Sequence, residues 1–420
     1  MQNKIFLLLF LNFCGFVYAQ EQTGRRVTEV LCSDSLFGRG YVKDGVNKAG
    51  NYLAREFETA GLIPYLDEGY LQDFSFNVNT FPSKVKLSTE NKLLIPGKHY
   101  VVHPSSAGGN GVYDFVVLDS TDFSNEKNIT DAMHQISTGK KNSIMVDTRN
   151  VTAKTAREMR YTYAELGKYT PTIITTNEKF TWSVGRTQYK HPVFIINDSI
   201  LSDEPLKLAY EIEAELINHT SQNVVGYLPG KRKNAKTIVF TAHYDHLGGM
   251  GDATFFPGAN DNASGTSMLV ALAEYYKENP SKYNLLFIAF AGEEAGLLGS
   301  EHFVNSKSYP LDNIKFLLNL DIMGSGEDGI TVVNGSVLKK PFRKLQKINK
   351  KKKYLKAVKP RGETMNSDHY HFYKNNVPGF FIYTMGPNKH YHDIFDTYDE
   401  LSFDAYDNIV HLLIDFIEAI

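Results

Sequence analysis

NLLFIAFAGEEAGLLGSEHF, residues 284–303, decides how the rest of the chain is read. An unbroken apolar run, Leu285–Phe290, ends at Ala291-Gly292, and two adjacent carboxylates, Glu293 and Glu294, follow. Six apolar residues without alternation fit a strand buried on both faces, which is the habit of parallel sheets covered by helices. A helix is expected next, over about 299–307. Adjacent acids repel, and no cation stands beside them in this stretch, so their partners come from elsewhere in the chain.

Working outward, three more segments repeat the pattern of a short apolar run ending in ligand-type residues. Lys236–Ala242 leads into His243-Tyr244-Asp245-His246, Phe316–Leu320 into Asp321, and Gly379–Thr384 into a loop holding His390, Tyr391 and His392. Helices are expected at about 264–277, 338–350 and 404–419, the last with one apolar face made by Ile409, Leu412, Leu413, Phe416, Ile417 and Ile420. Strands alternating with helices from about residue 222 onward predict a layered α/β domain. Between the first two strands lies GANDNASG, 258–265, with Asp261 just before a helix.

In open α/β sheets, sites form beyond the carboxyl ends of the strands. Five such loops here carry His, Asp or Glu. Each residue alone has an ordinary explanation: Asp261 as a helix cap, Asp321 as a strand-end turn, His243 and Asp245 as surface polar residues. Their joint placement at one end of the sheet points instead to a divalent metal. Clustered acids without a cation are costly, and histidine with carboxylate ligands suits hydrolytic zinc. A pair of metals needs a bridging carboxylate, and Asp261 stands between the two halves of the ligand set.

HYDHLG, GANDNASG, FAGEEAGLLGS, NLDIMG, SDHYHF and YHDIFDT, in this order and approximate spacing, resemble the M28 family of zinc peptidases. The resemblance covers residues 222–420 closely and the 25–62 region loosely. It implies the zinc-exopeptidase fold: α/β, with a mixed, mostly parallel central sheet, helices on both faces and a β-rich inserted module. It further implies two zinc ions, His243 and Asp321 on one, Glu294 and His392 on the other, and Asp261 bridging. Glu293 would be the general base, Asp245 would orient His243, and Tyr391 would donate to the oxyanion. Asp368 and His369 would line or brace the pocket. His390 competes with His392, which is preferred because Asp396-Thr397 follows at the family's distance. The implied activity is hydrolysis of N-terminal residues from peptides.

Two alternatives share the fold. A carboxypeptidase would need a cation for the substrate carboxylate, and Arg361 is the candidate. A glutaminyl cyclase would resemble its family in carrying a tryptophan directly before the last histidine ligand. That position is Tyr391, and the only tryptophan, Trp182, lies far upstream.

The rest of the chain supplies organisation. Residues 25–62 predict helix, with Ala49, Leu53, Phe57 and Leu62 at helical spacing and Gly61 as a terminator. Residues 71–221 form an inserted β-rich module resembling the protease-associated module, with short strands in KVKLS, GVYDFVVLDS, NSIMVDT, PTIITT and HPVFIIND. The peptidase domain is then 20–70 with 222–420. Residues 1–19 predict a secretory signal peptide, with Lys4, the apolar Ile5–Phe13 and a cleavage site after Val17-Tyr18-Ala19. The expected mature protein is exported to the periplasm, cell surface or medium, without a membrane span. Cys14 leaves with the signal, so Cys32 stands alone and no disulfide or thiolate metal cluster is expected. A formal charge of −2 gives no general attraction to nucleic acid, and the basic run 347–356 is read as a solvated helix face or loop.

Overall fold

The computed structural model describes residues 20–66, 69–201 and 207–420, so the expected signal peptide and Cys14 lie outside the described residues. Asn284–Phe290 forms a strand, and its apolar run is buried along its length. Parallel to it runs Thr237–His243, pairing Thr237 with Asn284 and His243 with Phe290. Ile314–Asp321 and then Gly379–Met385 extend the parallel block on the other side. Glu215–Leu228 closes one flank antiparallel to Asn284–Phe290, and Gly329–Val333 closes the other antiparallel to Gly379–Met385. Among the described residues the sheet has nine strands and is mixed, with the four parallel strands at its centre.

Alternation decides which side chains face which layer. Ile238, Phe240, Leu285, Phe287 and Ala289 enter one core with residues of the helices Gly45–Thr59, Gly265–Glu278 and Tyr406–Ala419. Val239, Leu286, Ile288 and Phe290 enter another with Phe303 and Phe372, from the helices Leu298–Asn305 and His369–Lys374. Each fully buried Phe or Leu contributes about 1.5–3 kcal/mol by leaving water, so both faces are committed. Register is thereby pinned, and the same strand ends stay together at one edge.

Two features depart from the sequence reading. Residues 25–62 are not one helix: helix occupies 20–31 and Gly45–Thr59, separated by a turn in which Phe37, Gly38 and Arg39 all have positive φ. Helical periodicity on both sides hid that break. In addition, Leu71–Thr80 pairs antiparallel along Glu215–Leu228, so the stretches that open and close the 71–221 segment lie on the large sheet.

Between them stand a five-stranded sheet, ordered Tyr100–Val102, Val193–Asn197, Thr172–Thr176, Ser143–Val146, Phe115–Leu118, and a small three-stranded antiparallel sheet. Two helices, Glu126–Ser137 and Ala153–Tyr163, accompany them. Their surfaces are mostly polar, so the apolar signal of the neighbouring strands outweighs theirs in the sequence. Trp182 and Phe194 of this module share a core with Leu247, Met250 and Phe256 from the loop after His243. Among the described residues, no helix is long and apolar enough to cross a membrane.

Candidate metal centre

Each ligand-type side chain reaches one place because its strand or helix ends there. His243 and Asp321 are the last residues of adjacent strands. Asp261 occupies the turn Ala259–Ser264 that runs directly into Gly265–Glu278. That turn passes so close to the His246 ring that a Cβ on Gly258 would lie 2.4 Å from it, and Gly258 has φ +59. Glycine is the residue that meets both conditions. Glu293 and Glu294 follow Gly292, whose φ of +70 turns the chain off its strand.

Asp261 stands at the centre. Its Oδ1 is 3.4 Å from His243 Nε2, and its Oδ2 is 3.2 Å from His392 Nε2. His243 Nε2 is also 3.5 Å from Asp321 Oδ1, and His392 Nε2 is 3.2 Å from Glu294 Oε2. The five residues therefore form two clusters that share one carboxylate. Ligand atoms of His243, Asp261 and Asp321 lie within 4.8 Å of one another, as do those of His246, Asp261 and Glu294 and those of His243, Glu293 and Glu294. This donor set, imidazole nitrogen and carboxylate oxygen in two groups with a common acid, fits a pair of zinc ions. His390 is turned elsewhere, with Nδ1 3.3 Å from Asp393 Oδ2.

The electrostatics of the pocket set burial against a cluster of acids and the histidines among them. Burial pushes Glu293 well above the usual carboxylate range, with Glu294 and Asp368 adding to the effect against the pull of His243. Burial likewise takes Asp245 and Asp321 to about 6 and Asp368 and Asp396 to about 7. His243 and His392 go the other way from what burial alone would do, because the surrounding carboxylates hold them well above their ordinary value. Those cations outweigh burial at Glu294, which falls to about 2, and at Asp261. Protons on the histidines thus balance the charge that a divalent ion would neutralise.

Several residues support the cluster, and two of them, Tyr41 and Arg39, had no signal of their own in the sequence. Asp245, fully buried, accepts from Tyr41 Oη at 2.8 Å and from the backbone N–H groups of Glu293 and Glu294 at 3.2 and 3.3 Å. Its own carbonyl lies 3.1 Å from His243 Nδ1. Asp396 accepts from the N–H groups of Asn260 and Asp261 at 2.9 and 3.0 Å, which orients the turn that carries Asp261. The buried Arg39 guanidinium donates to the carbonyls of Leu31, Tyr244, Pro257 and Gly258, tying the His243 and Asp261 loops together. His246, part of HYDH, sits with Nδ1 2.9 Å from Glu294 Oε1. Tyr41 is 204 positions from Asp245, and Arg39 is 205 to 219 positions from Tyr244, Pro257 and Gly258, and no local pattern marks such pairs.

The metal-side cavity, about 230 Å³, is lined by the clustered acids and histidines together with Arg361, Asn366, Phe381, Tyr383 and Tyr391. The Tyr391 ring stacks on His392 at 3.8 Å. Arg361 Nη1 donates to Tyr383 Oη at 3.0 Å. His369 stacks behind Phe381, and Asp368 is buried one residue away. A wider groove of about 710 Å³, with Lys356, Lys359 and Lys389 on its walls, shares Asp261, Tyr383 and Tyr391 with this cavity.

A model of Peptidase family M28 matches residues 223–417. Aminopeptidase YwaD of Bacillus subtilis (strain 168) is 44% identical over 110 residues, which is 26% of this chain and 23% of that protein. A probable zinc metalloprotease of Pyrenophora tritici-repentis (strain Pt-1C-BFP) is 35% identical over 111 residues, 25% of this chain and 22% of its own length. The alignments thus span less than a quarter of either curated relative. Among solved structures, BSAP, a zinc aminopeptidase from Bacillus subtilis, superposes with a TM-score of 0.70 over 95% of this chain and 94% of that one. At 20% identity this is a likeness of fold.

Proposed function

We propose, for a chain whose residues 223–417 belong to peptidase family M28, that it is an exported zinc-dependent aminopeptidase releasing N-terminal residues from peptides. The observation that carries the reading is Asp261, which offers one carboxylate oxygen to His243 and the other to His392. His243 and Asp321 would hold one zinc ion, Glu294 and His392 a second, with Asp261 between them. Bound zinc supplies Lewis acidity, which polarises a carbonyl and acidifies water.

The chain's own residues do the rest. Glu293, set beside Glu294 but not paired with His392, is the general base: its carboxylate takes a proton from water and returns it to the leaving amine. Tyr391, stacked on His392, donates its phenolic O–H to the developing oxyanion. The Asp245 carboxylate accepts from the Glu293 and Glu294 N–H groups and so holds their turn, while the Asp245 backbone carbonyl braces His243 Nδ1. Asp368 and His369 support the pocket wall. We assign the peptidase work to residues 20–70 and 222–420 and treat 71–221 as the inserted module. Export rests on the leader read at residues 1–19.

One observation favours a second reading. Arg361 lines the same cavity, so a carboxypeptidase with Arg361 as the clamp for a terminal carboxylate is the alternative. A cyclase is disfavoured because the Trp182 indole is engaged elsewhere, donating to Val102 O at 2.7 Å and stacked on Phe256.

Zinc content and hydrolysis of aminoacyl, dipeptidyl and C-terminal glutamyl substrates test the reading together. Two zinc ions and cleavage of aminoacyl substrates are expected, and cleavage of C-terminal substrates alone, abolished in Arg361→Ala, would replace it with the carboxypeptidase. Glu293→Gln should lower turnover by about 10²–10⁴ with zinc content unchanged. Near-normal turnover of that variant at full zinc loading would remove Glu293 from its role.

A further inference from the structure

The loop that carries His392 is fastened to the inserted module. Trp182 N–H donates to His392 O at 2.9 Å, and His392 Nδ1 lies 2.9 Å from Trp182 O. These two bonds couple one residue of the module to one residue of the loop. Three positions earlier, Lys179 Nζ donates to Tyr391 O at 3.0 Å and to Lys389 O, and pairs with Asp393 Oδ2 at 2.7 Å. All three of its N–H donors are thereby directed at residues 389–393. Asp393 is buried, so the pair is not a fully solvated surface bridge.

Trp182 is itself immobilised. Its indole bonds Val102 O on a module strand and stacks on Phe256 at 4.8 Å, two residues before Gly258 and the turn bearing Asp261. The fastening has two consequences for His392. A carbonyl can only accept, so the Trp182 contact keeps a proton on Nδ1, and Nε2, directed at Asp261 and Glu294, is the nitrogen that would give up its proton to hold a metal ion. His392 also has φ +58, a left-handed conformation that a residue other than glycine keeps only where surrounding contacts over-determine it. The Trp182 pair and the Lys179 contacts add to the bonds Asp393 makes within the loop, to His390 and to Phe395 N–H, in supplying that over-determination.

We propose that segment 179–182 of the module is a strap that sets the second metal site, with Lys179 as a positioning residue acting through the His392 loop. This rests on the reading of His392 as a metal ligand, and the test separates the two. Zinc alone is titrated into metal-free full-length protein to give two dissociation constants for wild type, Lys179→Met, Lys179→Arg, Asp393→Asn and His392→Ala. Lys168→Met, which breaks a module ion pair with Glu165 away from the loop, is the control.

Lys179→Met and Asp393→Asn should each weaken one zinc site about 10–100-fold and spare the other. Lys179→Arg should recover most of the loss, and Lys168→Met should bind as wild type. His392→Ala should lose the same zinc. If His392→Ala keeps both sites at wild-type affinity, the ligand reading fails, and the strap with it. If His392→Ala loses a zinc while Lys179→Met and Asp393→Asn keep both, the strap alone is overturned. Equal weakening of both sites in the strap variants also overturns it, because that signature is general destabilisation. Should Lys179→Met fail to fold, Asp393→Asn, which leaves the module untouched, decides.

Discussion

Replacing Asp245 with asparagine changes almost no volume and removes one charge from a fully buried carboxylate. Its two oxygens accept three donors: Tyr41 Oη and Glu294 N–H on Oδ2, and Glu293 N–H on Oδ1. An asparagine has one accepting oxygen. Turned to keep Tyr41 and Glu294, its NH2 faces the Glu293 N–H; turned the other way, two donors are abandoned. At least one hydrogen bond to a charged group is lost, worth about 1.5–3 kcal/mol. At about 1.4 kcal/mol per factor of ten, that is roughly a tenfold to hundredfold effect. The loss falls on the turn that aims Glu293 and Glu294, so zinc affinity and turnover should both drop by that factor.

Competition with a chromogenic chelator measures the first and steady-state hydrolysis the second. The difference should be largest at pH 8 and shrink by pH 5. Burial takes Asp245 to about 6 in the metal-free site, so below that pH the wild-type side chain is itself neutral. A variant whose zinc affinity and turnover stay within about threefold of wild type at pH 8, with unchanged melting temperature, would refute the role given to Asp245.

Zinc binding should release protons at pH 7 and strengthen as pH rises, because Glu293, His243 and His392 are all held above their ordinary values in the metal-free site; titration calorimetry in buffers of different ionisation enthalpy measures it, and zero proton release would contradict it. Asp368 and Asp396 titrate at about 7 in the fold against an ordinary 3.8, so the native state binds more protons than the unfolded state between about pH 4 and 7. Stability of the zinc-free protein should therefore fall as pH rises through that window, by up to about 1.4 kcal/mol per pH unit for each group, and denaturant midpoints at pH 5 and pH 7 that coincide would speak against it. Phe287→Ala empties a fully buried position in the central strand and should cost about 3–5 kcal/mol, read as a lower urea midpoint with far-UV circular dichroism retained; a loss under 1 kcal/mol would mean the core is packed differently.

The central sheet is legible in the sequence because its signal is local. Leu285–Phe290 and Phe316–Leu320 are short, mostly apolar runs closed by polar strand-end residues, and the structure extends the first by one residue and the second by three. The same locality brings Glu293, Glu294 and Asp321 to one edge, since parallel strands in register end together. Where the signal was mixed, the reading was coarser. The turn at Phe37–Arg39 divides what periodicity joined, and the module's helices are too polar on their exposed faces to stand out beside its strands.

Local pattern thus yields an inventory: which strands end in ligand-type residues, which chemistry such residues suit, and the family whose motifs they resemble. Partnership belongs to the fold. That Asp261 offers one oxygen to each histidine depends on a turn held by Asp396 from 135 positions away. That His392 rather than His390 faces the acids depends on the Trp182 carbonyl, 210 positions upstream. Contacts across such separations leave no periodicity in the chain, because they are selected by the packing of whole layers and not by neighbours along the backbone.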